Sequence, residues 1–272
     1  RQVLERLGVR PEASAGEGEV VVRHRDGTVR LVLRAGQDVV RADGEERVLP
    51  AAPQVREGRL LAPLLPVVQM LGGTGFWEPA ARAVVMGRPE EGLQGRRVLL
   101  DPGHGGRDAG AAGRAGTLEK EVNLAVCLLL RRLLEGAGAQ VIMTRENDRY
   151  VPDDHRAALG NERQVDLLLS VHHNSHVRAE LAGTETYWYQ DWASRHLAHR
   201  LHQELVATTG RPNRGVKEAN WPWLRHSLAP AAHVEILFLS NPQEEQLARQ
   251  PGFRLDAALA LFRGLREYCG VR

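Results

Sequence analysis

The sequence predicts an α/β protein: a twisted, mostly parallel sheet with helices on both faces, preceded by a small β-rich domain. Three observations predict it. From Arg97 onward, short apolar runs alternate with stretches whose apolar residues recur every three or four positions, the pattern of strands and the helices that cover them. Before that point the runs are short, strand-like and separated by Asp-Gly turns. Between the two lies Gly87 to Arg96, polar and glycine-rich, a linker composition. The expected division is a β-rich accessory domain at 1–88, a linker at 89–96 and the larger domain at 97–272.

Composition narrows the function classes. The 272 residues include 36 Lys+Arg against 34 Asp+Glu, a net charge of +2. That balance lacks the basic surplus of a nucleic-acid binder, so no nucleic-acid partner is expected. No apolar run approaches the roughly 18–20 residues of a membrane span. The sequence opens on Arg1, so a signal peptide for export would lie outside it. Cys127 and Cys269 are too few for a disulfide framework and are expected to be buried free thiols.

In the first domain, Glu19 to Arg25 and Thr28 to Leu33 flank Asp26-Gly27, a hairpin signal. Asp38 to Ala42 and Glu45 to Leu49 flank a second, Asp43-Gly44. Leu64 to Leu71 reads as a short helix closed by Gly72-Gly73, and Phe76 to Glu78 and Ala83 to Met86 as a last strand pair. Val3 to Gly8 echoes Val67 to Gly72, as if the chain began within the tail of a preceding copy. His24 is the only histidine of this part, and no metal-ligand spacing or acid pair occurs in it.

The second domain opens with the strand Val98 to Asp101, followed by a glycine-rich loop holding His104. Glu119 to Leu134 is a helix, with Thr117 as candidate N-cap and Gly136 as its stop. Gln140 to Thr144 is a strand, Asp153 to Gln164 a polar helix, and Asp166 to Val171 an apolar strand running into His172-His173-Asn174-Ser175. Thr184 to Tyr189 is a strand, Ser194 to Thr208 a helix, and Ala232 to Leu237 a strand with Glu235 in its middle. Two helices close the chain, the second from Phe253 to Tyr268.

Polar groups at strand ends need explaining. A histidine between glycines, taken alone, reads as an exposed turn residue. A carboxylate within an apolar strand, as at Glu235, costs several kcal/mol unless paired, protonated or near a metal. Glu119 at a helix start would be accounted for by the helix dipole. Together, His104, Glu119, His172 and Glu235 converge on the carboxyl edge of one sheet, where α/β proteins bind ligands. Two histidines and one carboxylate form a catalytic zinc set that leaves a position for water. A further carboxylate supplies the base of metal-assisted hydrolysis.

These residues sit in motifs: Asp101-Pro102-Gly103-His104-Gly105-Gly106, Asp108-x-Gly110, Glu119-Lys120-x-x-Asn123-Leu124 and Thr144-Arg145-x-x-Asp148. Arg156 and Asn161 follow, then Ser170-Val171-His172-x-Asn174-Ser175, Gly183-Thr184-Glu185-Thr186-Tyr187, Arg214-Gly215-Val216-Lys217, Leu224-Arg225 and Val234-Glu235-Ile236-x-Phe238-Leu239-Ser240-Asn241-Pro242-x-Glu244-Glu245. In that order they resemble the zinc-dependent N-acetylmuramoyl-L-alanine amidases of the amidase-3 family, over about residues 96–271. The resemblance implies one Zn2+ held by His104, Glu119 and His172, with Glu235 as catalytic base and acid. It implies peptidoglycan as substrate, cut between the lactyl group of N-acetylmuramic acid and L-alanine of the stem peptide, and an extracytoplasmic location. Arg214, Lys217 and Arg225 are candidates for gripping stem-peptide carboxylates, and Asp101 for orienting a ligand histidine.

His173 adjoins His172 and should face the other side of its strand, at the pocket edge. His155, His176, His196, His199, His202, His226 and His233 are expected at the surface, His233 also standing two residues before Glu235. Glycines 103, 105 and 106 would let the substrate amide reach the metal. Some family members insert a plugging helix after the second ligand histidine; here Gly183 to Tyr187 leads almost directly into the helix from Ser194 and leaves no room for it, implying an open cleft. The first domain's Asp-Gly pattern, Arg59 to Leu64, Leu71-Gly72 and Trp77 resemble the copper amine oxidase N-terminal module, implying an anchor to the cell wall or to a protein partner and no copper site. The competing readings are another zinc hydrolase of wall material and a wall-binding protein without activity. The separated order of ligands opposes a His-Glu-x-x-His peptidase, and a mere binder needs no base.

Overall fold

The structure, a computed structural model, describes residues 9–13, 19–24, 28–57, 59–87 and 92–270. The chain divides into two compact units, Arg1–Pro89 and Glu90–Arg272.

The first unit holds a five-stranded antiparallel sheet in chain order: β1 (Val9–Ala13), β2 (Glu19–His24), β3 (Val29–Arg34), β4 (Val39–Ala42) and β5 (Glu45–Val48). Alternation puts Leu31 and Leu33 of β3 and Val40 and Ala42 of β4 into one core with Val22, Leu49, Val67 and Leu71. The Asp43-Gly44 turn has φ of 49° and 86°, the two positive values of the hairpin turn that matches strand twist. The other expected turn, Asp26-Gly27, and the Val3 to Gly8 echo lie outside the described residues. Strand β1 has no counterpart in the sequence reading because Pro11 interrupts it; on an edge strand a missing N–H is tolerated. The hairpin β6 (Gln54–Arg56) and β7 (Arg59–Leu61), helix α1 (Leu64–Met70) and hairpin β8 (Thr74–Glu78) and β9 (Ala83–Gly87) complete the unit.

The second unit is built on a six-stranded sheet. Its strands are β10 (Arg97–Pro102), β11 (Gln140–Met143), β12 (Leu167–Asn174), β13 (Thr184–Trp188), β14 (Asn213–Glu218) and β15 (Ala231–Phe238), in the order β11-β10-β12-β15-β13-β14. The first four of that order run parallel; β13 pairs antiparallel with β15, and β14 parallel with β13. Strand β14 escapes sequence reading because it is a polar edge strand interrupted by Gly215. The helices are α2 (Glu119–Gly136), α3 (Asp153–Glu162), α4 (Trp192–Thr209), α5 (Pro222–Arg225), α6 (Pro242–Ala248) and α7 (Pro251–Tyr268). Helices α2, α4 and α7 pack together as one layer, and α3 with α5 as another. Leu99 and Leu168 meet Leu224 of α5 and Leu159 of α3 in the second layer's core.

Cys127 is a free, buried thiol inside α2, and Cys269 is free and half-buried. No helix among the described residues is long and apolar enough to cross a membrane. Residues 175–183, between β12 and β13, carry turns and no helix, and the Gly183 N–H donates to Glu244.

Candidate metal centre and active site

The site forms where β10, β12 and β15 end. His104 follows β10 with φ of 61°, Glu119 opens α2, and His172 lies on β12. Their ligand atoms lie within 4.8 Å of one another. Asp108 Oδ2 accepts the Nδ1–H of His104 at 2.8 Å, which directs Nε2 toward Glu119 Oε2 at 3.1 Å. His172 Nδ1 lies 2.9 Å from Glu119 Oε1. Burial disfavours a charged His104 ring, yet hydrogen bonding to Glu119 and its charge, then Asp108, raise its pKa to about 9. Burial would likewise raise Glu119, but His104 and His172 hold its carboxyl well below the usual range. The contact between His104 Nε2 and Glu119 Oε2 is one that either a proton or a metal cation can bridge. Two imidazoles and a carboxylate fit a divalent metal.

The loop that carries His104 is held by buried cations. Arg145 donates to the carbonyls of Pro102 and Gly103, both at 2.9 Å, and to that of Lys120 at 2.7 Å. Arg156 reaches the carbonyls of Val151 and His104. Asp101 is a different part from the one its position suggested. Its carboxylate accepts from Thr144 and Ser170, each at 2.7 Å, and from Arg156 at 2.5 Å, and it touches neither ligand histidine. Fully buried, it needs Arg156 as counter-charge, and it acts on the loop through that residue. The carboxylate that partners a candidate ligand histidine is Asp108, at His104.

Glycines in this loop serve the protein's own packing. A Cβ on Gly103 would stand 2.0 Å from Cε1 and Nε2 of His172, and one on Gly110 2.5 Å from Glu119 Oε2 and from His104. Gly105 and Gly106 abut Arg149 and Tyr150 in the same way. The space expected to admit substrate is filled by the loop's own neighbours. Glu245 accepts the N–H groups of Ala115 and Thr117, fixing the descent into α2.

Glu119 is aimed by three donors: the Ala111 N–H at 2.8 Å, Asn123 Nδ2 at 3.2 Å and the His173 N–H at 3.2 Å. The His173 N–H is available because the β12–β15 register shifts between His172 and Asn174, a bulge next to the site. His173 does not lie at the pocket edge. It is fully buried, its Nδ1 2.7 Å from Asn123 Oδ1, and burial pushes its pKa down to about 3. Since Asn123 Nδ2 donates to Glu119, its Oδ1 accepts from His173.

Glu235 stands opposite His172 in the β12–β15 register. Burial pushes its carboxyl up to about 8. Its Oε1 lies 3.0 Å from His233 Nε2, while Oε2 is buried without a partner among the described residues. His233 is buried, and its ring stacks on His172 with centroids 4.3 Å apart. Trp221 meets His233 edge-on at 4.5 Å, and Trp223 lies parallel to His172 at 6.2 Å. These aromatics, with Tyr187 against Trp221 at 4.7 Å, wall one side of the site.

Arg214 and Lys217 are both tied to Glu185. Arg214 Nε and Lys217 Nζ each donate to Glu185 Oε1 at 2.7 Å, and Glu185 Oε2 also accepts from Tyr187 and Asn174. Glu185, the β13 partner of Glu235 in register, is buried among these four donors and pairs with both cations. Among the described residues Arg225 donates to Asn220 Oδ1 and His226 Nε2, and it is exposed. Of the histidines expected at the surface, two are buried: His233 beside Glu235, and His202 between Thr186 Oγ1 and Asn213 Oδ1.

Residues 98–267 match the family model described as N-acetylmuramoyl-L-alanine amidase. The chain belongs to this amidase family. Residues 1–86 match the copper amine oxidase N-terminal domain. N-acetylmuramoyl-L-alanine amidase LytC of Bacillus subtilis is 33% identical over 193 residues, 70% of this chain and 39% of LytC. The probable cell wall amidase LytH of Staphylococcus epidermidis is 34% identical over 178 residues, 65% of this chain and 59% of LytH. The chain thus spans less than two thirds of either relative. Among solved structures, the catalytic domain of CwlV, an N-acetylmuramoyl-L-alanine amidase from Bacillus (Paenibacillus) polymyxa var. colistinus, aligns with a TM-score of 0.63 at 31% identity. That alignment covers 65% of this chain and 99% of the CwlV domain. A Clostridium difficile N-acetylmuramoyl-L-alanine amidase aligns at 0.62 and 30% identity, over 64% of this chain and 97% of the other. The amidase match falls on the unit that holds His104, Glu119, His172 and Glu235.

Proposed function

We propose that this amidase-family chain hydrolyses peptidoglycan at the amide between the lactyl group of N-acetylmuramic acid and L-alanine of the stem peptide. It would do so with one Zn2+ held by His104, Glu119 and His172. The observation that carries the reading is the three-donor cluster lying beside a carboxyl with an unpartnered oxygen, Glu235 Oε2. When bound, the metal supplies Lewis acidity toward the amide carbonyl and acidifies water.

The protein's own residues do the rest. Burial alone keeps Glu235 protonated near neutrality. A cation beside it favours the carboxylate and draws it toward the range in which it can accept a proton. Glu235 Oε2 then takes a proton from the attacking water and returns one to the nitrogen of the leaving L-alanine. The wall of Trp221, Trp223 and Tyr187 shields the site on one side. Arg225 is the remaining candidate for a stem-peptide carboxylate, because Arg214 and Lys217 are engaged by Glu185. The turn-only connection between β12 and β13 favours a cleft not gated by an internal helix, hence activity without an activator protein. The first unit serves as an anchor to the wall or to a protein partner, and the enzyme acts outside the cytoplasmic membrane, where its substrate lies.

The test is mass spectrometry of sacculi digested with the purified protein. Free stem peptides beginning in L-alanine should appear, vanish with a chelator and return with Zn2+. The Glu235→Gln variant should lose roughly 100- to 10,000-fold in rate while keeping its metal. Release of sugar fragments or internally cut peptides instead would refute the reading, as would full activity in the chelated protein.

A further inference from the structure

We propose that His233 is a positioning residue for Glu235: it holds one carboxyl oxygen and so aims the other at the reacting water. The inference rests on the role of Glu235 given above. Residues 233 and 235 of β15 are two apart and therefore point to the same face. His233 Nε2 lies 3.0 Å from Glu235 Oε1, and the opposite ring nitrogen, Nδ1, is buried without a partner. A neutral imidazole carries one N–H. If it sat on Nδ1, a buried N–H would go unsatisfied; placed on Nε2, it donates to Glu235 and leaves only a bare acceptor, the cheaper defect. This assignment makes His233 a donor to Glu235 and unavailable there as a metal ligand, although His172, His233 and Glu235 also bring ligand atoms within 4.8 Å.

The ring has no room to swing. His172 stacks on it at 4.3 Å, Trp221 meets it at 4.5 Å and Trp223 at 5.8 Å. One side chain thus fixes the base by a hydrogen bond and backs a ligand histidine by stacking. Glu235 Oε2, the oxygen left unpartnered, is the one free to handle protons.

The test is a double-mutant cycle on the full chain with a soluble muropeptide substrate, using His233→Leu, His233→Gln, Glu235→Gln and the double variant His233→Leu/Glu235→Gln. We expect His233→Leu to lower kcat about 10- to 100-fold, the range for removing an orienting partner, with KM within twofold and one metal per chain by atomic absorption. His233→Gln, which keeps an amide donor at similar reach, should recover most of kcat. The double variant should be no slower than Glu235→Gln alone, since the histidine acts through that carboxyl. A His233→Leu kcat within twofold of wild type overturns the proposal, as do additive losses, a glutamine variant as slow as the leucine one, or two metals per wild-type chain. Undiminished activity of Glu235→Gln would instead remove the base assignment itself, whatever His233 does.

Discussion

Replacing Gly103 by alanine tests the metal centre with a single methyl group. Gly103 is absent from the glycines with positive φ, so alanine meets no backbone penalty there and the effect is steric alone. The added Cβ would stand 2.0 Å from two atoms of the His172 ring, where ordinary contact starts at 3.4 Å. The ring must therefore retreat by about 1.4 Å, the difference of those two distances. Retreat is opposed by His233 stacked at 4.3 Å and Trp223 beyond at 6.2 Å. Overpacking of this kind costs about 1–3 kcal/mol of stability, and a displacement of about 1 Å at a reacting centre costs on the order of 100-fold in rate. We expect Gly103→Ala to remain folded, to bind Zn2+ at least tenfold more weakly in competition with a chromophoric chelator, and to lose about 100-fold in hydrolysis. Gly252→Ala is the control, since a Cβ there meets nothing within 4 Å; it should match wild type in both assays. A Gly103→Ala protein with wild-type metal affinity and rate would refute the placement of His172 as a ligand packed against this loop.

Asp108→Ala should weaken Zn2+ binding by about 10- to 100-fold, the usual cost of losing the partner that fixes a ligand histidine, and Asp108→Asn by less because an acceptor remains; equal affinity in all three proteins would count against the assigned His104 tautomer. Asp101→Asn tests the buried pair. Burial alone would raise the Asp101 carboxyl, but Arg156, Thr144 and Ser170 outweigh it and hold it below its ordinary value. A depressed carboxyl stabilises the fold fully above the unfolded value of about 3.9 and loses that contribution as pH falls through the folded value. Removing the charge strands Arg156, so denaturant unfolding at neutral pH should show a loss of about 3–5 kcal/mol, with a flatter loss of stability below pH 4. An unchanged unfolding midpoint would remove Asp101 as the anchor of the loop.

Much of the fold was legible because the relevant signals are local. The strands β10, β12 and β15 are apolar runs, and α2 and α7 show the helical period, so the parallel sheet and its carboxyl edge follow from pattern alone. What escaped was polar and at edges: β1 with its proline, β14 with its glycine, and the four-residue helix α5. Such elements are stabilised by neighbours in space, which periodicity does not encode. His202 shares the buried face of α4 with Ala198, Leu201 and Leu205, and its polar ring is accommodated there by Thr186 and Asn213 on two strands.

The site divides along a similar line. His104, Glu119, His172 and Glu235 could be found because each is a polar group where an apolar element ends or is interrupted. Their supports could not, because each contact depends on geometry that spacing leaves open. Asp108 reaches His104 only through the left-handed turn at that residue. The His173 N–H reaches Glu119 only because a bulge takes it out of the strand ladder. Arg214 and Lys217 looked free because Glu185 lies about thirty residues away in sequence and meets them only once β14 pairs with β13. His233 is the intermediate case: its shared face with Glu235 follows from a period of two, but the wall of Trp221 and Trp223 that locks its ring does not. A metal centre of this kind is therefore announced by its ligands and tuned by residues whose identity is ordinary and whose placement is not. Mutagenesis confined to the four polar groups would establish the chemistry and miss what holds it in register.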